Sequence, residues 1–297
     1  MRTLILNSTN LINDGQNNKL VYKFPNSVIF KDSYISLSQA QIYYSWFNIT
    51  AEYQNNIFQY IWINNLGVQV TYTIIIPDGL YEIVQLNQYL QYELIKNGHY
   101  LVDAAGKNVY YAEMIVNASR YAVQINTYLF PTALPVGWVN PSGLLFPPQQ
   151  FNPSIIIPAN FNIIVGYNSG FTTNINLNNA YVPPVSNYVS KLANGTLSYI
   201  STQAPNVQPN SSLIINASNI DNQYAQPTGS LYVINPSVSA GEIISEKPVN
   251  FIWAKLIPGT YHQLTITLLG SDLRPLKIQD PAMTFVFVIK NSNESIY

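Results

Sequence analysis

The chain has 297 residues, enough to bury a large core as one big all-β domain or as two smaller ones. Charged residues make up 9% of it, against the roughly 25% usual in soluble domains, so its polarity rests on Asn, Gln, Ser and Thr. A net charge of -1 supplies no basic excess to neutralise phosphates. That argues against nonspecific binding to nucleic acid or anionic membrane, and it leaves little repulsion between copies.

Residues 1–18 are mostly polar around Asp14-Gly15 and read as an N-terminal arm. The remainder, 19–297, reads as a single body. KLVYKF (19–24), SVIF (27–30) and SYISLSQAQIYYSWFNI (33–49) are predicted strands, with Ile35, Leu37, Ala40 and Ile42 turned inward. FQYIWI (58–63) and VQVTYTIIIP (68–77) form a predicted hairpin around Asn64, Asn65 and Gly67. The segment 82–98 breaks this pattern. Ile83, Leu86, Leu90 and Leu94 recur at steps of three and four, and Gly98 supplies a C-terminal stop, so one amphipathic helix is expected with Glu82, Gln85 and Glu93 on its wet face.

NVYYAEMIV (108–116) and RYAVQINTYLF (120–130) read as a further strand pair. Prolines at 131, 135, 141, 147, 148, 153 and 158 then exclude regular helix and interior strand, leaving a long surface loop. FNIIVGY (161–167), SLIINAS (212–218), GSLYVIN (229–235) and VNFIWAKL (249–256) are predicted strands, and 131–210 as a whole is set apart as a loop-rich insertion. At the end, Leu264, Ile266 and Leu268 alternate with Thr265 and Thr267, and Phe285, Phe287 and Ile289 share one face of a second run. The last strand is therefore expected to close a sandwich or barrel.

Chemistry is sparse. No cysteine is present, so disulfide and thiolate chemistry are absent. No apolar run reaches 18 residues, and Leu4–Leu6 is too short for a signal-peptide core, so no membrane span is expected. His99 and His262 lack metal-spaced carboxylates; His99 is placed just past the helix cap and His262 in a turn. No phosphate-binding loop, HExxH or GxSxG occurs, and Glu52, Asp103, Glu113, Glu242 and Glu246 form no telling arrangement. No catalytic residue, metal site or cofactor is assigned, and an enzyme is not expected. Trp46, Trp62, Trp138 and Trp253 with 23 tyrosines keep a carbohydrate-binding or host-recognition β-sandwich module open as the alternative.

Three blocks of sequence carry a resemblance: IIIPDGLYEIVQLNQYLQYELIKNGHYL (74–101), RYAVQINTYLFPT (120–132), and the run 229–290 with its FIWAKLIPGTYHQL segment. In that order they resemble the penton, or minor capsid, proteins of virophages and Polinton-type elements. The resemblance covers about half the chain. It implies a single jelly roll of two antiparallel sheets, strands perpendicular to a capsid surface, and five copies closing a ring at each icosahedral vertex. It also implies contact with double-jelly-roll major capsid subunits, residence in the virion after synthesis in the host cytoplasm, and no catalytic residues. The apolar side chains of the arm, Leu4, Ile5, Leu6, Leu11 and Ile12, are the expected assembly contacts with a neighbouring subunit.

Overall fold

A computed structural model describes residues 1–173, 195–207 and 211–292. Residues 174–194 and 208–210 of the expected insertion lie outside the described residues. The chain divides into two compact units, Met1–Asn48 with Gln208–Tyr297, and Ile49–Val207. The second unit begins well before residue 131, where the sequence reading placed an insertion, and takes in the helical segment and the first hairpin.

In the first unit the strands are β1 (Arg2–Asn7), β2 (Lys19–Phe30), β3 (Ser33–Tyr43), β4 (Leu213–Ala217), β5 (Ser230–Ile234), β6 (Ile243–Glu246), β7 (Gly259–Leu269) and β8 (Met283–Asn291), with a two-residue strand, Ala254–Lys255, added against β3. One sheet has the order β1-β8-β3-β6 and the other β2-β7-β4-β5, and every pairing within them is antiparallel. Two such sheets, with the chain crossing between them at every step except the β4–β5 hairpin, form a jelly roll. Its eight strands wrap one core that includes Leu6, Leu20, Leu213, Leu268, Phe285 and Phe287. The closing runs of the sequence do not pair with each other: β7 and β8 belong to opposite sheets. The last strand lies in the interior of its sheet, between β1 and β3.

The alternation of β3 changes parity along its length, and the cause is local. Val286 faces Gln39 while Phe287 faces Leu37, so Ser38 is an extra residue on β3. A bulge of this kind reverses which side chains point inward. Ile35 and Leu37 before it, and Ala40 and Ile42 after it, are all buried as a result.

The expected N-terminal arm contains the first strand of the jelly roll. Residues 2–7 pair one for one with β8, from Arg2 opposite Ile289 to Asn7 opposite Thr284. Thr3, Ile5 and Asn7 turn away from the core while Leu4 and Leu6 enter it, the period-2 pattern of a half-buried strand. The expected strand at 249–256 shrinks to Ala254 and Lys255, which pair with Ile35 and Tyr34. Further along, β6 occupies the edge of β3 only from Ala40 to Tyr43. Between these two stretches β3 carries its bulge, and Pro248 offers no N–H to a ladder, so the chain leaves the sheet there.

The second unit has the predicted hairpin, Ile57–Ile63 against Gln69–Ile75. Its turn is set by Asn64, whose Oδ1 accepts from the backbone N–H groups of Leu66 and Val68, and by Gly67 at φ 77°. Ser154–Ile157 adds to the other side of this sheet, followed by Phe171–Thr172. A second sheet joins Ala112–Asn117, Ala122–Thr127 and Leu197–Ile200, in that spatial order.

Helix α1 (Ile83–Lys96) buries Ile83, Leu86, Leu90 and Leu94, as its spacing requires. It ends in a Schellman motif: the Gly98 N–H donates to Ile95 O and the His99 N–H to Leu94 O, with Gly98 at φ 72°. Glu93, expected on the wet face, is instead buried and ion-paired with Lys96 at 3.1 Å. A second helix, α2 (Phe161–Val165), replaces the strand predicted at 161–167. Phe161, Ile164 and Val165 all enter the core, a spacing that fits a helical turn and not a strand. Gly166 then stops the turn at φ 75°, where a Cβ would stand 2.2 Å from the Gln203 carbonyl oxygen.

Candidate assembly surfaces

The side chains that could carry chemistry are mostly consumed by the fold. His99 occupies the position after the Schellman glycine, which fixes its backbone and sends the imidazole into the core of the second unit. It stacks on Trp62, lies edge-on to Tyr60 and Tyr72, and shares a 2.9 Å hydrogen bond through Nδ1 with the Tyr60 hydroxyl. Burial pushes its pKa down to about 4 and raises that of Tyr60. His262, expected in a turn, lies on β7 at the irregularity between Tyr261 and Gln263, and is exposed.

Glu113 is buried in the second unit and serves as a polar anchor. Its Oε1 accepts from Asn126 Nδ2 at 2.7 Å and from the Tyr128 hydroxyl. Asn126 in turn accepts from Gln124 and Ser198. Every donor in this chain is aimed at another protein group, which is the arrangement of a structural network. Among the other acids singled out in the sequence, Asp103 accepts from the N–H groups of Ala105 and Lys107 in a turn, and Glu246 accepts from the Tyr232 hydroxyl. Among the described residues no group of three His, Cys, Asp or Glu side chains is placed to hold a metal ion, and no helix is long and apolar enough to cross a membrane.

The tryptophans divide in the same way. Trp46 and Trp62 are core residues, while Trp138 and Trp253 are half-buried. Lys290 Nζ sits 4.5 Å from the Trp253 ring centre, on a half-buried face. No flat exposed tryptophan platform is formed among the described residues, and the fully exposed Tyr224 stands at a turn tip.

What remains is exposed apolar surface, present on both units; Leu66, Val116, Val136 and Leu145 are examples on the second, and the first carries the side chains expected to make assembly contacts. Of the five side chains expected to make assembly contacts, Leu4 and Leu6 are in their own core and Leu11 packs against it, bridging to Leu20. Ile5 and Ile12 are exposed. Their direction follows from pairing: β1 shows one face to the core and the other outward, and sequence alone gives no sign of which. Exposed apolar residues that the sequence did not single out lie at 233–257, where Val233, Ile243, Val249 and Ile252 all face solvent. In a segment read as strand, only the tertiary structure reveals that these side chains have no cover.

Two clefts accompany these surfaces. One, of about 370 Å³, lies where the ends of β1, β3 and β8 meet β6, with Gln41, Tyr43, Ile243 and Thr284 in its wall. The other, of about 360 Å³, lies along the edge strand β5 beside Ile252. Neither is lined by an ionisable acid or a lysine.

Strand order and connectivity define the first unit as a single jelly roll, with the second compact unit inserted in the sequence between its third and fourth strands. Among solved structures, the chain is similar to the mavirus penton protein, with 8% identity over 98% of this chain and 100% of that one and a TM-score of 0.43. It is also similar to a chain in a cryo-EM structure of the Sputnik virophage, with 10% identity over 97% and 98% and a TM-score of 0.37. At these values the fold assignment rests on strand order and not on either likeness. No protein-family model and no curated protein matches the chain.

Proposed function

We propose that this chain is a capsid protein forming the vertex of an icosahedral virus particle. Five copies would close a ring there, surrounded by double-jelly-roll major capsid subunits, in a virion assembled after synthesis in the host cytoplasm. The observation that carries the reading is the jelly roll of the first unit, whose outer surface exposes large aliphatic side chains and few charges. A surface of that kind is a liability for a free protein and is suited to one buried by assembly. The sequence resemblance to virophage and Polinton-type penton proteins points the same way. Jelly rolls serve many functions, so the fold alone would not select this one.

The reading has no catalytic step. The alternative, a carbohydrate-binding or host-recognition β-sandwich module, loses part of its support because Trp46 and Trp62 are spent in the cores. The test is co-expression of this chain with its major capsid protein, followed by electron microscopy of the particles. Closed particles with density for this chain at the five-fold positions are expected. Complete particles formed equally well without it, with their vertices filled, would overturn the proposal.

A further inference from the structure

The jelly roll has two flanks, and their chemistry differs. On one side lie the edge strands β1 and β2, each paired with a single neighbour. On the other lie the edge strands β5 and β6, tied across the two sheets by the 2.8 Å bond from Tyr232 to Glu246. Both flanks expose aliphatic side chains: Ile5, Ile12 and Ile29 on the first, Val233, Ile243 and Ile252 on the second.

Their charges are opposite. Residues 1–30 carry Arg2, Lys19 and Lys23 against a single acid, Asp14, whereas residues 220–250 carry Asp221, Glu242 and Glu246 against a single base, Lys247. In a chain with so few charges, this separation is a large part of the electrostatic character of each flank.

We propose that the β1–β2 flank of one copy binds the β5–β6 flank of the next. The occupant of each flank is thus a second copy of this chain. Like-to-like pairing would bury aliphatic surface too, but would set bases against bases or acids against acids. Unlike pairing brings the charges together and buries aliphatic side chains from both sides. The cleft beside β5, bordered by Ser230, Val233 and Ile252 and free of charge, receives an aliphatic side chain such as Ile5 or Ile29 from the neighbour. A contact between two different patches leaves one of each open at the ends of every assembly, so it propagates until a ring closes. The inference deepens the vertex reading and rests on it only for the closure at five.

Native mass measurement of the full chain over a concentration series, in low salt and in high salt, provides the test. Two charge-reversal pairs are made, Lys19→Glu with Lys23→Glu, and Asp221→Lys with Glu242→Lys. All four side chains are exposed, and circular dichroism with a thermal melt checks that each variant is folded. Wild-type association that weakens with salt is expected. Each pair is expected to weaken association by roughly tenfold or more. An equimolar mixture of the two variants, in which reversed flanks meet each other and intact flanks meet each other, is expected to regain association as alternating open or even-numbered assemblies, since an alternating ring cannot close at five.

A wild-type chain that stays monomeric at every concentration would overturn the proposal. So would association that survives both pairs, or that is lost with only one of them, as like-to-like contact requires. Particle microscopy keeps the two readings separable: a chain found at vertices whose association ignores these charges fails here and leaves the vertex assignment standing.

Discussion

The His99 imidazole lies flat on the Trp62 indole, with ring centroids 4.3 Å apart and planes within 5° of parallel. The residues around it, Tyr60, Tyr72 and Trp62, include no carboxylate to hold an imidazolium, and the ring is almost fully buried. Its pKa falls from 6.5 to about 4 on folding because burial penalises the charged form. The unfolded chain therefore takes up this proton first as pH falls. The stability due to a neutral His99 is fully present above pH 6.5 and declines between 6.5 and 4, by about 3 kcal/mol in total. Denaturant unfolding of the wild type at about pH 7 and about pH 4.5 should show the loss, and His99→Gln should flatten that part of the profile. An unchanged slope in the variant would assign the acid sensitivity to carboxylates elsewhere.

Ser38 makes a sharper test of register. It is the extra residue that lets Ile35 and Leu37 point inward on one side of it and Ala40 and Ile42 on the other. Deleting Ser38 forces one of these pairs out of the core, and the loss of two inward side chains with their register costs several kcal/mol, roughly 1.5–3 for each large aliphatic group. Ser38→Ala keeps the residue count and should change the melting temperature little. Equal tolerance of the deletion and the substitution would show that the bulge is dispensable.

These two features differ in how far the sequence foretold them. The hairpin at 57–75 and helix α1 were legible because their periodicity and stop residues are local, and the inward faces of β3 and β8 were legible for the same reason. The partner of β1 was not. Its polar neighbours Asn7, Ser8 and Asn10 hide a short strand whose mate, β8, lies at the far end of the chain, and pairing at that distance leaves no mark in a single sequence. Residues 161–165 misled because Ile and Val favour strands on average, while burial of Phe161, Ile164 and Val165 favours a helical turn. The candidate surface was half legible. Ile5 and Ile12 stood out as apolar residues in a polar stretch, but Leu4 and Leu6 look identical to Ile5 until pairing assigns their faces. Ile243 and Ile252 became visible only when nothing was found to cover them.

Phe287 tests the role of the final strand. It is fully buried, stacks 6.3 Å from Phe285, and lies on a strand flanked by β1 and β3. Phe287→Ala should cost about 3–5 kcal/mol. Truncation at residue 282 should be worse than any point change, because it leaves β1 without a partner and opens the interior edge of β3. The truncated chain is expected to be insoluble or to lack a cooperative melt; a soluble, cooperatively melting product would mean that the jelly roll can form without its interior strand.

Glu113 is predicted to be a stabilising residue with no part in binding. Its oxygen receives both Asn126 and the Tyr128 hydroxyl in a buried setting, so Glu113→Ala leaves two donors without an acceptor, at roughly 1–3 kcal/mol each. Glu113→Leu is no better, since it fills the space but supplies no acceptor. Thermal melts of both variants should fall well below the wild type, while self-association measured below those temperatures should be unchanged.

The last prediction concerns the second unit by itself. Residues 49–207 enclose their own core, in which Phe58, Tyr60, Trp62, Leu90, Ile125 and Phe161 are all buried together. Among the described residues the three sheets of this unit, the third being Tyr100–Val102 against Asn108–Tyr110, take every strand partner from within the same span, and helix α1 lies within it too. A segment with its own core and, among its described residues, no borrowed strand meets the physical requirement for folding alone. Expressed as a fragment, 49–207 should be soluble and unfold in one cooperative transition, and it should keep the acid sensitivity of His99. A fragment that lacks a cooperative transition would show that the jelly roll supplies part of its stability, and the two units would then have to be treated as one folding unit.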